Sequence, residues 1–216
     1  GPLTHKLNAG IGYRFKRIRF GYLEGGANNP FVEHHVAGFV NEEASLGILK
    51  MVASLRVDRH PLIPDIGKTI SPRGAVIARV ASDTSIRVTG GTAFRAPNSL
   101  ESYMDFNLPS SAPGAFIRDV GNSPLDDREG ALSPERIITV EAGVHDESTL
   151  FHTADAVVYM NRVSNLIGLA SVTPELNYFD ADENGVQAGS TGWYNQDPTY
   201  TGVGFEAELE TYPTDG

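Results

Sequence analysis

The chain has 216 residues with 23 glycines, 13 prolines, no cysteine and a formal charge of -10. The missing cysteines exclude a disulfide framework and any cysteine-based zinc site, and 27 acidic against 17 basic residues argue against a general nucleic-acid binder. Mean hydropathy is -0.20, and no run approaches the roughly 20 apolar residues of a spanning helix. Barrel strands escape that test, because their alternation averages out in a hydropathy scan. The opening Gly1-Pro2-Leu3 lacks the basic start and apolar core of a signal peptide. An exported protein would then carry its leader elsewhere, with Gly1-Pro2 either a cloning scar or a natural cut point.

In chain order, the first strand is expected over residues 7–15, with Ala9, Ile11, Tyr13 and Phe15 on one side. The apolar phase changes at Lys16-Arg17, since Ile18 and Phe20 have the other parity. That change predicts a bulge or a tight turn. Glycines and asparagines over 25–30 form a loop, and residues 33–42 read as the second strand. After a turn at 45–47, Leu49, Met51, Ala53, Leu55 and Val57 line one face of a third. Lys50, Ser54, Arg56 and Asp58 line the other, and residues 60–70 are a proline-containing loop.

The clearest alternation lies between Ser71 and Gly143. It sets Val76, Ala78 and Val80, then Ile86, Val88 and Phe94, then Ile138, Val140, Ala142 and Val144 on one face. The opposite face carries Arg73 and Arg79, then Arg87 and Thr89, then Thr139 and Glu141. Period-two alternation of this length is a strand signal. It predicts strands over 71–80 and 84–94, joined by Ala81-Ser82-Asp83. Asn98 is placed to cap a short helix through Tyr103. Residues 105–132 read as a long loop. Strands follow over 134–145 and 150–161, then a second long loop over 168–198. The last strand, 200–212, sets Val203, Phe205, Ala207 and Leu209 against Gly202, Gly204, Glu206, Glu208 and Glu210. Three carboxylates in a row on one face require water.

Connections alternate between short (45–47, 81–83, 146–149) and long (21–32, 59–70, 105–132, 168–198). Short turns at one rim and long loops at the other is the asymmetry of outer-membrane barrels, and strands of about 9–11 residues match a tilted span. The fold class expected is all-β: an antiparallel up-and-down membrane β-barrel segment, about eight strands of a larger barrel. Apolar residues would face out and polar ones in.

Several motifs recur in a fixed order: A-G-F-V-N-E-E at 37–43, A-S-L-R-V-D at 53–58, S-P-R-G-A at 71–75 and G-T-A-F-R-A-P at 91–97. L-S-P-E at 132–135, V-E-A-G at 140–143 and G-V-G-F-E-A-E-L at 202–209 follow. From about Val32 to its end the chain resembles the middle of the barrel of a TonB-dependent outer-membrane receptor. The resemblance implies uptake of a small-molecule ligand such as a siderophore, cobalamin or glycan, powered by TonB, at the bacterial cell outer membrane. Such barrels have about 22 strands and a plugged lumen. Residues 1–216 are then expected to be a partial β-barrel domain without plug domain or signal peptide. The partners implied are outer-membrane lipid, and the plug and TonB through other parts of the receptor. No nucleic acid and no enzymatic activity are expected.

Candidate chemistry is sparse. Asp180, Asp182 and Asn184, with Gly185 sixth, match the opening of a calcium loop. Thr191 stands at the twelfth position, where a bidentate Glu is needed, and the plain alternative is an acidic solvated loop tip. No other cofactor is expected. The Gly202-Val-Gly204-Phe-Glu-Ala207 run mimics a dinucleotide fingerprint, but the alternation continues where a helix would have to begin. His34 and His35 point to opposite faces of a strand. His145 and His152 lie across a turn without a completing carboxylate pattern. Arg87 and Arg95 are placed to form lumen ion pairs near Glu141. Trp193, Tyr194, Tyr200, Tyr103 and Phe106 are expected to form an interfacial girdle, with a ligand vestibule as the alternative. Loops 105–132 and 168–198 are the expected ligand-contacting segments.

Two other readings compete. One is a complete eight-stranded outer-membrane barrel, adhesive or structural, with a filled interior. The other is a secreted β-sandwich that binds or hydrolyses glycans, whose sheets would each bury an inner face.

Overall fold

The structure, a computed structural model, describes residues 2–23, 30–109, 115–121, 131–171, 178–180 and 185–212. Its main body is one antiparallel sheet of eight strands in the order β1-β2-β3-β4-β5-β8-β9-β13. These are β1 (Thr4–Ile18), β2 (Phe31–Leu46), β3 (Leu49–Arg59), β4 (Ile70–Arg79), β5 (Thr84–Arg95), β8 (Glu135–Asp146), β9 (His152–Ser164) and β13 (Tyr200–Thr211). Each wall strand pairs with its neighbour along the chain, as in an up-and-down barrel. The two end strands, β1 and β13, do not pair with each other. The sheet is therefore an open arc, not the closed eight-stranded barrel.

The register shows why the alternation is so clean. Across β1 to β4, Ala9 faces Val40, Val40 faces Leu55, Leu55 faces Pro72 and Met51 faces Val76. From Val76 the row continues through Val88, Ala142, Val158 and Phe205. All these residues share one face, so the apolar surface runs unbroken across eight strands. In an aqueous protein this face would be covered. Here Ile11 is 87% exposed and Val203 is 78% exposed. An uncovered apolar face of this extent fits a protein whose outer solvent is lipid.

The apolar phase change at the end of the first strand has a different origin from the bulge or turn expected. β1 pairs with β2 without interruption from Thr4–Ser45 to Ile18–Phe31. Ile18 has inward parity and packs on a small core of Leu23, Leu62 and Tyr103, as does Phe31. The backbone stays regular. What changes at the rim is the environment of the inner face, from polar to apolar.

The short connections are tight. Leu46 pairs with Leu49 around Gly47-Ile48, and Gly47 has φ +58°. Glycine at the first central position of a two-residue hairpin suits a primed turn that matches strand twist.

The long connections are not structureless. Residues 105–132 carry β6 (Asp105–Pro109) and β7 (Ala115–Val120). Residues 168–198 carry most of β10 (Ile167–Ser171), and β11 (Tyr178–Asp180) and β12 (Gly185–Asn195). They assemble a second sheet in the order β10-β12-β7-β6, with β11 also on β12. The β12–β7 pairing is parallel and shifts register between Gln187 and Gly189. The loop reading of these segments is thus corrected. Their Gly, Pro, Ser and Asp content hid strands whose partners lie some 70 positions away along the chain (Val186 with Ala115).

Candidate functional site

The buried hydrophobic residues, Leu23, Leu62, Ile63, Tyr103, Met104, Phe116 and Leu132, lie in the long connections and not in the wall strands. At this rim the connections fold down onto the inner face of the wall. The key piece is one helical turn, α1 (Ser99–Tyr103). The Asn98 side chain accepts from the Leu100 and Glu101 backbone at 2.9 and 3.0 Å, and Glu101 Oε2 accepts from the Asn98 backbone at 2.7 Å. This reciprocal capping box satisfies donors that a single turn leaves free. The expected cap at Asn98 is therefore present.

From α1, Tyr103 reaches the wall. Its ring stacks on Phe31 with centroids 3.9 Å apart and planes 14° apart. Its hydroxyl donates to Glu33, and burial together with that carboxylate pushes the phenol pKa up. Glu33 is 1% exposed. It also accepts from Lys16 Nζ at 3.2 Å and lies 2.8 Å from His35 Nε2. Three donors around one buried carboxylate keep it charged without an unmet hydrogen bond. His60, just beyond β3, sets its ring edge-on to His35 at 4.4 Å. Burial pushes the His60 pKa down to about 4, helped by the neighbouring His35. It is neutral at pH 7, and its Nδ1 accepts from the Leu62 backbone at 3.2 Å.

A second anchor lies on the other side of α1. Arg95, at the end of β5, donates from Nε and Nη2 to Glu135 at 2.6 and 2.7 Å, and from Nη1 to both Glu101 oxygens at 3.0 and 3.1 Å. Glu135 in turn accepts from the Ile167 backbone at 2.9 Å. One guanidinium thus joins β5, α1 and β8, and through Glu135 the start of β10. Its planar fork suits this. The second sheet is pinned by Asn195, which accepts from Ser133 N at 2.7 Å and donates to Ser133 O at 2.9 Å and Asn165 O at 2.8 Å.

Below the rim the inner face is mainly polar, with Phe39, Val52, Ile77 and Val157 as apolar exceptions on the same face. Arg56 forks onto Asp58 at 2.8 and 2.7 Å, Lys50 meets Glu43 at 2.9 Å, and Thr139 donates to Asn161 at 2.8 Å. Arg87 pairs with Asp155 at 3.2 Å, while Glu141 accepts from Thr89 at 3.3 Å. The inner residues of β13 include Glu206, Glu208 and Glu210. This is the wall of a hydrated lumen, facing inward opposite an apolar outer face.

A family model described as TonB dependent receptor-like, beta-barrel matches residues 1–213. The chain belongs to this family. It is thus part of an outer-membrane β-barrel receptor, and the membrane-facing and lumen-facing sides of the wall follow. No curated protein matches it. Among solved structures it is similar to the siderophore receptor PirA from Acinetobacter baumannii, at TM-score 0.73 and 16% identity over 96% of this chain and 32% of that one. The ferric enterobactin receptor PfeA of Pseudomonas aeruginosa, in complex with BCV-L6, gives TM-score 0.74 and 18% identity over 99% and 32%. A double mutant of the hemophore receptor HasR from Serratia marcescens, solved with its hemophore HasA and heme, gives 0.66 and 18% over 96% and 36%. The chain spans about a third of the length of each.

Within this receptor wall several site expectations change. Arg87 and Arg95 do form ion pairs, but with Asp155 and with Glu101 and Glu135, and not with Glu141. Tyr103 is buried under the connections and is no girdle residue. Phe106 joins Phe20 and Tyr22 in a ladder of rings at 5.4 and 5.3 Å. Tyr194 and Tyr200 are exposed, while Trp193 is half-buried and its indole N–H has no partner among the described residues. His34 stacks beside Tyr13 on the outer face, and His35 meets Glu33 on the inner one, as their parity requires. His145 lies 3.0 Å from both Asp155 and Glu147. No cluster suited to a metal occurs among the described residues. Asp182 and Asn184 lie outside the described residues, and of Asp180 only the backbone pairing with Gly185 is described. Sequence reasoning missed Glu33, His60 and Glu101. The signal for Glu101 was legible, as the third residue of a capping box after Asn98.

Proposed function

We propose that this chain forms about a third of the wall, and part of the outer vestibule, of a receptor that takes up an iron-bearing small molecule of the siderophore class. The observation that carries this reading is the docked outer rim. α1 and the second sheet are fastened to the lumen side of the wall by Glu33 and Arg95, and these same connections carry the exposed Tyr22 and Tyr194, with Phe106 against Tyr22. Loops held on a rigid scaffold are where recognition concentrates. The similar structures, a siderophore receptor, a ferric enterobactin receptor and a hemophore receptor, support an iron-bearing ligand over cobalamin or glycan.

In this reading the ligand binds at the vestibule, and the rest of the barrel, a plug domain and TonB complete the transport cycle. The chain itself brings about no chemical reaction. Asp180, Asp182 and Asn184 remain a proposed calcium loop in the outer connection. Its check is whether Asp180→Asn with Asp182→Asn abolishes calcium uptake by the purified receptor.

The test of the transport reading is iron-limited growth and radiolabelled-iron uptake with a panel of siderophores. Strains would carry the intact receptor, a deletion, or Tyr22→Ala with Tyr194→Ala. Uptake of one siderophore lost in the deletion and weakened in the double variant is expected. Equal uptake of every iron source by the deletion strain would overturn it.

A further inference from the structure

Between β3 and β4 the chain makes a tight turn, His60-Pro61-Leu62-Ile63. The His60 carbonyl accepts from the Ile63 backbone at 3.1 Å, and proline at the second position is preset for such a turn. Proline has no N–H to give. The first amide after it, that of Leu62, donates at 3.2 Å to Nδ1 of the His60 ring. The turn so closed delivers Leu62, 1% exposed, into the core with Leu23 and Tyr103.

This geometry fixes the protonation state of the ring. A backbone amide can only donate, so Nδ1 holds a lone pair and the ring proton sits on Nε2. A second proton, on Nδ1, would set two donors against each other and leave the Leu62 N–H buried without an acceptor. The charged groups around His60 are Arg14 and Lys16 on β1, Glu33 and His35 on β2, and Arg56, Asp58 and Arg59 on β3. Neither carboxylate is free to take up a new cation. Glu33 already meets Tyr103, Lys16 and His35, and Asp58 is held by the Arg56 fork. His35 differs, because its Nε2 faces Glu33 at 2.8 Å and a protonated ring would keep that contact.

The ring is only half-buried. It lines a cavity of about 340 Å³ on the lumen side, shared with Arg14, His35 and Asp58. Long connections mark the external side of an outer-membrane barrel, so His60 stands at the rim that meets the external medium. What it holds down extends beyond its own turn. Leu62 packs with Tyr103 of α1, Met104 bridges Leu23, and the Asp105 backbone donates to the Tyr22 carbonyl at 2.9 Å.

We propose that His60 is a sensor of external pH: its neutral Nδ1 pins the turn under Tyr103, and protonation there frees α1 and the outer connections from the wall. Release would reach Tyr22 and so regulate the vestibule. That consequence rests on the transport reading, whereas the switch itself does not.

The experiment is hydrogen exchange by mass spectrometry on the intact receptor in detergent, at pH 7.5 and pH 5, with each rate corrected for the intrinsic exchange of its peptide. It needs no ligand, so its outcome is separate from that of the uptake test. Opening of residues 60–63 and 98–106 should rise about tenfold or more at pH 5, as a ring titrating near 4 when docked and near 6.5 when free implies. His60→Gln, whose amide oxygen can accept from Leu62 without titrating, should stay protected at both pH values. His60→Ala, with no acceptor, should be open at both. Equal protection of the wild-type protein at the two pH values would overturn the switch. So would an acid response kept in His60→Gln, or an equal loss of protection over β4 and β5, which would mean that the wall itself yields. Should the variants fail to insert, exchange at the imidazole C2 position of the wild-type protein decides: a His60 midpoint well below 6.5 supports the switch, and one near 6.5 overturns it.

Discussion

The Tyr103 hydroxyl donates to the Glu33 carboxylate, joining a five-residue helix in an outer connection to the second wall strand. Tyr103→Phe leaves the stack on Phe31 in place but removes one donor from a carboxylate that has almost no contact with water. Loss of a partner from a buried charged group costs about 1–3 kcal/mol or more. The outer connections should open more readily while the wall stays intact. Limited proteolysis of the receptor in detergent, comparing cleavage in the connections with heat-modifiability of the barrel, checks this.

Arg95 should matter more than any other single ionic side chain at the rim. Arg95→Ala leaves Glu101, 4% exposed, and Glu135 without their cation. Breaking one side of such a buried arrangement typically costs about 3–5 kcal/mol; the half-exposed Arg95 side chain places the expected effect at the lower end. Arg95→Lys should rescue only part, because an ammonium cannot fork onto two carboxylates. Thermal unfolding of the two variants side by side measures the order expected: wild type, then Lys, then Ala.

Acidification should loosen the same rim through His60. Its folded pKa of about 4 lies below the ordinary imidazole value of 6.5, so between these values the unfolded or undocked form binds more protons. Stability therefore rises with pH across that window and falls as the pH drops from 6.5 toward 4. The groups facing His60 are His35, Glu33, Lys16 and Arg14. A spin label at the exposed Leu100 should gain mobility over this range, and His60→Gln should flatten the response. An NMR titration placing His60 near 6.5 would refute it.

Two glycines should tolerate a methyl group very differently. At Gly121 an added Cβ would lie 2.5 Å from the Ser102 carbonyl carbon and 2.6 Å from the Met104 nitrogen, both backbone atoms just at the end of α1. At Gly204 it would meet the far end of the Tyr159 ring at 2.2 Å, which rotation of that side chain can relieve. Gly121→Ala should detach the connection after β7 from α1, seen as faster hydrogen exchange over residues 98–106. Gly204→Ala should cost about 1–3 kcal/mol as overpacking and be relieved by Tyr159→Ala in the double variant.

The open edges of β1 and β13 present unpaired backbone groups. In lipid such edges are unfavourable by several kcal/mol per group. The 216-residue chain refolded alone is expected to associate through these edges or fail to insert. Analytical ultracentrifugation in detergent giving a stable, folded monomer would contradict this.

The wall was legible in the sequence because period-two alternation is local. A face that meets lipid and a face that meets water write their chemistry directly into successive residues, as in Val76, Val88 and Val140 against Arg73, Arg87 and Glu141. The length pattern of the connections likewise announced which rim is which, and Asn98 announced its helix. Partner choice could not be read in this way. Arg87 selects Asp155 and Arg95 selects Glu101 and Glu135 because sheet curvature and side-chain reach decide among several carboxylates on one face. The second sheet joins segments far apart in the chain, and short polar strands carry no periodic signal until their partners are known. Ile18 is the sharpest case. Its change of parity was visible in the sequence, but only the core of Leu23, Leu62 and Tyr103 folded over it shows that the inner face turns apolar while the strand runs straight on.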